Sequence, residues 1–203
     1  MPHADVLGFV VADEVFVPGS MLCGRPVYPL SEIQERVPPL TCGVLVAASY
    51  REMNGMRVRR SEDLWALGYR PASFVSPRAW VAQDTVIESN TLILDGVSIH
   101  SGTRVGQGSF ISSGAVIGHD CIIGDYNWIG SAAVFAGCVQ SGARCFFGLR
   151  ATVTQHVQLG QRVYVGATAL VTKNLPDGAV QVHSQSAKPI DMDSMRYCAL
   201  VTP

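Results

Sequence analysis

An apolar residue recurs every six positions over almost half of this 203-residue chain. Steps of six from residue 75 to residue 171 reach seventeen positions, and Ser141 is the single polar residue among them. A six-residue unit is too short to contain a helix, and an ordinary strand alternates with a period of two. The pattern therefore predicts a coil of very short parallel strands, with three hexads, about eighteen residues, in each triangular turn.

Two further columns of the repeat support this coil. The residue four positions after each inward residue is small or β-branched in nearly every hexad, with Asn127 as the largest polar exception. Glycine directly follows the inward residue eight times, at positions 106, 118, 124, 130, 142, 148, 160 and 166, which suits a sharp corner. Each inward residue contributes only roughly 1.5–3 kcal/mol, so the stack of about five turns carries the stability.

The residues before the coil follow a different pattern. Segments 6–11 and 43–48 are apolar and Val-rich, as in buried strands, whereas 31–36 and 51–67 have helical patterns, the second capped by Ser49 or restarted at Ser61. Alternating strands and helices predict a small α/β region. We therefore expect a mainly β protein with an α/β region over 1–73, a coil of hexads over 74–180 and a C-terminal tail over 181–203.

The composition excludes several classes of partner. Charged residues make up 15% of the chain and the formal net charge is −1, so the sequence has no basic footprint for nucleic acid or an anionic membrane. The longest apolar stretch, around 42–48, is too short for a membrane span, and the first residues lack the pattern of a signal peptide. We expect a soluble, cytoplasmic protein.

Cysteine usage and hydropathy bear on redox state and assembly. The six cysteines show no CxxC pair and no dense spacing, which predicts reduced thiols rather than disulfides or a zinc knuckle. Few charges together with a positive mean hydropathy of 0.24 indicate that part of the surface is hidden between subunits. We therefore expect an oligomer.

His119 is the best candidate for chemistry in the coil. An eighteen-residue turn places Gly137 one turn above it, and a glycine amide can approach a neighbouring group closely because it has no Cβ. A neutral imidazole can take a proton from an attacking hydroxyl or amine, while a backbone N–H can hold the oxyanion of a tetrahedral intermediate. Asp120 is a candidate to orient the ring, although a solvated corner carboxylate explains it equally well.

Residues 118–124, with a glycine eighteen residues after the histidine, resemble the hexapeptide-repeat sugar acyltransferases of the sialic acid O-acetyltransferase (NeuD-like) family. The likeness covers about residues 75–190, and segments 6–10, 24–27 and 68–77 follow the same family's pattern. It implies a left-handed parallel β-helix with His119 as general base, Asp120 as its partner and the Gly137 amide on the thioester. It also implies acetyl transfer to a sugar hydroxyl or amine in surface polysaccharide or glycoconjugate biosynthesis.

The same resemblance implies acetyl-CoA as the donor and a homotrimer with active sites between subunits. The unbroken register of the coil leaves no long loop to build a pocket within one chain, which agrees with a shared site. CoA is then expected along the coil edges, with a C-terminal lysine at a CoA phosphate; the matching residues are Gly148, Leu149, Gly166, Ala167 and Lys188.

The chain departs from the family in its acceptor region. The opening strand and glycine-rich turn that would cradle a nucleotide have no counterpart, and no GxGxxG occurs, so binding of a nucleotide-linked sugar stays open. One relative has a second histidine where this chain has Trp128. We expect Asn127 and Trp128 to contact the acceptor, with the indole stacked on a sugar face; cover of a subunit joint is the alternative for the indole.

Two other function classes use the same coil. In γ-type carbonic anhydrases three histidines from two subunits hold a metal that activates water, and two of them lie five residues apart. Here Gly124 follows His119 at that distance, and His100 and His156 occupy other phases of the hexad, so we expect no metal. A non-catalytic hexapeptide scaffold is the other alternative, and the coincidence of His119, Asp120 and Gly137 argues against it.

Overall fold

A computed structural model describes residues 5–183, and most of them wind into a prism of three parallel sheets. Each strand of the prism is two residues long and pairs in parallel with the strand eighteen residues later, as Ile99 pairs with Ile117; the last pair, Tyr164–Val165 with Val180–Gln181, is sixteen residues apart. The prism is a left-handed parallel β-helix: the six-residue period predicts the coil, and the family resemblance implies its left hand.

We number the three faces of the prism in the order in which the chain meets them. The first face has seven strands: Phe74–Val75, Leu92–Ile93, Phe110–Ile111, Trp128–Ile129, Phe146–Phe147, Tyr164–Val165 and Val180–Gln181. The second face has six: Trp80–Val81, Ser98–Ile99, Val116–Ile117, Val134–Phe135, Thr152–Val153 and Leu170–Val171. The third has five: Val86–Ile87, Arg104–Val105, Ile122–Ile123, Gln140–Ser141 and Gln158–Leu159.

The core of the prism consists of the inward column of the repeat. From Ile93 to Val171 the second residue of every strand is buried, and the small residues of the corner column pack beside them. Cys121 and Cys145 belong to the corner column, and burial raises the pKa of both thiols, that of Cys145 to about 11. One shared core therefore runs along the axis, and each turn is stable because its neighbours cover it.

The two polar exceptions of the repeat pair with each other inside the coil. The amide Nδ2 of Asn127 donates to Ser141 Oγ at 2.9 Å and to the Gly142 carbonyl at 3.1 Å. Asn127 Oδ1 accepts the Cys145 N–H at 2.6 Å. Because these buried polar atoms have partners, their burial costs little.

An α/β region precedes the prism. Strands Phe9–Val11, Met21–Leu22 and Arg25–Pro29 form a mixed sheet, and Gly43–Val44 pairs with Arg70–Pro71. The α-helices are Ile33–Arg36 and Gly55–Ala66, and short 3₁₀ turns cover Asp13–Val15, Leu30–Glu32 and Pro39–Thr41. Their core is small: Ile33, Val46, Leu64 and Tyr69. None of the helices between residues 5 and 183 has the length and apolarity needed to span a bilayer.

The second helix starts later than the sequence pattern predicts. Residues 52–54 all have left-handed backbone, with φ between 48° and 61°, and the helix begins at Gly55. The Arg144 guanidinium donates to two carbonyls of this turn at 3.2 Å, and the Asn54 amide donates to the Cys145 carbonyl at 3.1 Å. Contact with the coil, and not a cap at Ser49 or a restart at Ser61, therefore sets the helix start.

Arg57 joins this helix to the first face. Its guanidinium is fully buried, donates to the carbonyls of Ala48 and Gly108, and lies about 6 Å from the ring centres of Phe110 and Trp128. Burial lowers the pKa of Arg57 to about 10. The two carbonyls and the two aromatic rings stabilise the buried charge, and Arg57 forms no ion pair within residues 5–183.

Candidate active site

One edge of the prism, between the second and third faces, brings His119 and Asp120 together. Ring nitrogen Nδ1 of His119 lies 2.8 Å from Asp120 Oδ2, and both side chains are more than half exposed. A carboxylate only accepts, so in the neutral ring Nδ1 carries the proton and Nε2 keeps its lone pair. The Asp120 contact therefore selects the tautomer in which Nε2 can act as a base.

Gly137 lies directly above the ring, as the eighteen-residue turn predicts. A Cβ at this position would be 2.3 Å from His119 Nε2 and 2.6 Å from its Cε1, so a larger residue would displace the imidazole. The next residue's N–H, that of Cys138, bonds to the His119 carbonyl at 2.8 Å. The Gly137 N–H itself has no hydrogen-bond acceptor among residues 5–183. A free donor and a free acceptor thus lie side by side.

The turn below supports the pair, which the sequence reasoning missed. A Cβ at Gly102 would lie 2.3 Å from Asp120 Oδ1, so this glycine makes room for the carboxylate. Asp84, one turn lower, accepts Ser101 Oγ at 2.6 Å and the Gly102 N–H at 3.0 Å, and the hydroxyl lowers the pKa of Asp84. The signal was present in the sequence, since Gly102 precedes Asp120 by eighteen residues.

Cys138 is a second residue that the sequence reasoning missed. Its Sγ, one ring nitrogen of His119 and a carboxylate oxygen of Asp120 all lie within 4.8 Å of one another. Cys138 follows Asp120 by one turn, so the same eighteen-residue arithmetic points to it.

The residues predicted to bind CoA lie on another edge of the prism. Leu149 and Ala167 are exposed at the corner between the first and second faces, and their N–H groups have no acceptor within the described part of the chain. The N–H groups of Gly148 and Gly166 are taken by Val165 and Gln181 carbonyls at 2.7 and 2.8 Å. The second face separates these residues from His119. Lys188 lies outside the described residues.

The residues predicted to contact the acceptor do not lie at the His119 edge either. Asn127 is fully buried with its amide satisfied, so its side chain offers no free group to an acceptor. Trp128 stacks on Phe110 with ring centres 4.0 Å apart, and Tyr50 meets its edge at 5.1 Å. The indole therefore packs where the α/β region joins the first face, and this differs from the expected stacking on a sugar.

Part of the repeat matches a known family. Residues 84–119 match the family described as bacterial transferase hexapeptide (six repeats). No curated protein matches the chain.

Solved structures of sugar acetyltransferases share the fold over most of the chain. A variant of perosamine N-acetyltransferase from Caulobacter crescentus, in complex with CoA and GDP-perosamine, is 25% identical, with a TM-score of 0.75 over 87% of this chain and 82% of its own. PerB from the same organism, with the same two ligands, is 26% identical over 80% and 77%, with a TM-score of 0.74. The acetyltransferase domain of PglB from Neisseria gonorrhoeae is 25% identical over 90% and 87%, with a TM-score of 0.77.

Proposed function

We propose that this chain is an acetyl-CoA-dependent acetyltransferase that modifies a sugar, with the amine of a nucleotide-linked amino sugar as the favoured acceptor. One observation carries the proposal: His119, whose Nδ1 contacts Asp120, has its Nε2 against Gly137, and the Gly137 N–H has no acceptor among residues 5–183. The similar Caulobacter structures, which bind CoA and GDP-perosamine, support the donor and the acceptor class. A sugar hydroxyl is the second candidate, because the same base would activate it.

The chemistry follows from the two groups. His119 takes a proton from the acceptor amine as its nitrogen attacks the thioester carbon, and Asp120 stabilises the imidazolium that forms. The Gly137 N–H donates to the oxyanion of the tetrahedral intermediate. Collapse of the intermediate breaks the C–S bond, and the imidazolium returns the proton to the departing CoA sulfur. No charge is left on the enzyme after one turnover.

We further propose a homotrimer in which each active site joins two subunits. His119 and the predicted CoA residues lie on different edges of one prism, and packing of two copies can bring the His119 edge of one against the Leu149 and Ala167 edge of the next. Exposed apolar residues on the second and third faces, Trp80, Ile122 and Leu170, offer surface for such packing. Because acetyl-CoA is the proposed donor, we also propose that the enzyme works in the cytoplasm.

Release of free CoA from acetyl-CoA tests the function. The acceptor panel contains GDP-linked and UDP-linked amino sugars, free amino sugars and sialic-type sugars that offer only hydroxyls. His119→Ala removes the base, and we expect kcat to fall by about a hundredfold or more on the accepted sugar. His100→Ala is the matched control, since His100 is also an exposed histidine of the coil. Loss of most activity in both variants, or in neither, would contradict the assignment.

A further inference from the structure

Cys138 adds a third metal-binding group to the His119 and Asp120 pair. The three donor atoms lie within 4.8 Å of one another, and the described part of the chain holds no other such group of three His, Cys, Asp or Glu side chains. The group is assembled by the coil itself, because Cys138 is hydrogen-bonded through its backbone N–H to the His119 carbonyl at 2.8 Å. A rigid backbone thus holds all three residues in one place.

The donor set determines which cation fits. Imidazole and thiolate favour zinc and similar borderline-soft divalent ions over magnesium or calcium, which prefer oxygen donors. Zinc bond lengths of about 2.0–2.3 Å in a tetrahedral site put neighbouring donors about 3.5 Å apart. The widest pair of donor atoms therefore needs to approach by up to about 1.3 Å. Rotations of the exposed His119 and Asp120 side chains can supply this movement.

We propose that a zinc-type divalent cation binds His119, Asp120 and Cys138 and reversibly inhibits the enzyme. Water completes the fourth position, and the Cys138 thiol releases its proton to solvent on binding, with no change of oxidation state. Inhibition rests on the proposed function, since a metal-bound His119 cannot take a proton from the acceptor. Metal binding itself does not depend on that function.

Three of the four other described cysteines provide the contrast. The Cys121 and Cys145 thiols are buried and donate to the Ala136 and Gly160 carbonyls at 3.2 Å. Cys23 is exposed but belongs to no group of metal-binding side chains among residues 5–183. Cys23→Ala is therefore a matched control for Cys138→Ala: each variant removes one accessible thiol.

Cobalt titration of the purified protein tests binding without any substrate. Co²⁺ bound by a thiolate gives a sulfur-to-metal charge-transfer band, and we expect one such band at one equivalent, removed by Cys138→Ala and kept by Cys23→Ala. Zinc should displace cobalt and erase the band. A band that survives Cys138→Ala, or no thiolate band in the wild-type protein, would overturn the site.

Zinc inhibition is measured separately by CoA release. At saturating Zn²⁺ we expect the rate to fall by about a hundredfold or more and to recover on chelation, since the base is blocked. Cys138→Ala, compared with its own zinc-free rate, should need at least about tenfold more zinc for half inhibition. Cobalt binding together with an unchanged rate in zinc would show that the metal site is real but not inhibitory, and would overturn the regulatory part alone.

Discussion

At the scale of single residues, two glycines decide where the catalytic pair can lie. Gly137 leaves the space that the His119 ring occupies, and Gly102 leaves the space for the Asp120 carboxylate. In both cases an added Cβ would come within 2.3 Å of a functional atom. The positions of His119 and Asp120 therefore depend on the lack of a Cβ at both glycines as well as on the hydrogen bond between the two side chains.

Gly102→Ala should lower kcat by at least about tenfold, because the methyl group would push the Asp120 carboxylate away from His119. Gly114→Ala is the matched control: its φ of 72° is close to the 73° of Gly102, but a Cβ there meets nothing within 4 Å. Both variants should lose similar stability, about 1 kcal/mol, from the left-handed backbone. Steady-state kinetics and thermal melts of the two proteins measure this, and equal kcat values would refute the positioning role.

Sequence spacing predicts which residues are stacked in the coil, but it does not predict which of them have a role or where their side chains point. The eighteen-residue turn gives the residue directly above or below any position, so the stack of Gly137 on His119 could be predicted. The same spacing places Gly102 below Asp120 and Cys138 above it, but a glycine and a cysteine at these positions did not by themselves suggest a role. It did not give the direction of the Asn127 side chain, which turns inward because Ser141 leaves a polar gap in the core.

At the scale of elements, the outward column of the first face explains how the α/β region is held. Phe110 stacks on Trp128 and Phe146 on Tyr164, with ring centres 4.0 and 4.7 Å apart. Tyr50 packs against this ladder at Trp128 and Phe146. The inward repeat could be predicted from the sequence, and the aromatic residues at every eighteenth position from Phe110 to Tyr164 already marked this ladder. Its contact with Tyr50 could not be predicted, because the α/β region does not share the repeat.

Arg57→Met tests the junction. The variant keeps much of the side-chain volume but leaves the Ala48 and Gly108 carbonyls without their donor, so we expect the α/β region to loosen by about 2 kcal/mol while the coil stays folded. Arg60→Met is the control, because Arg60 is on the same helix and makes only a partly exposed ion pair with Asp63. Hydrogen exchange over Gly55–Ala66 reports the change. Equal protection in both variants would contradict it.

At the scale of the whole molecule, the proposed reaction requires two edges of the prism to meet. One edge holds His119 and Gly137, and the other exposes Leu149 and Ala167, with the second face between them. A single prism presents these edges to different directions, so a site that uses both needs a second copy. The sequence suggested this arrangement through the family resemblance, and the placement of the edges gives it a physical basis.

Mixed subunits test the shared site. His119→Ala inactivates one edge, and Ala167→Glu blocks the other with a carboxylate at an exposed position. Each variant alone should be inactive, whereas co-expression of equal amounts should restore about a quarter of wild-type activity, because one site in four then combines two intact edges. The test compares the rate of CoA release by the co-purified mixed oligomer with that of the wild-type protein. An inactive mixed oligomer would show that each site lies within one chain.

The position of the thioester in a crystal structure of this protein with acetyl-CoA tests the catalytic assignment most directly. We predict that the thioester carbonyl oxygen lies about 3 Å from the Gly137 nitrogen, with the carbonyl carbon on the His119 side of the groove. A thioester bound along another edge, out of reach of both the Gly137 amide and His119 Nε2, would contradict the account.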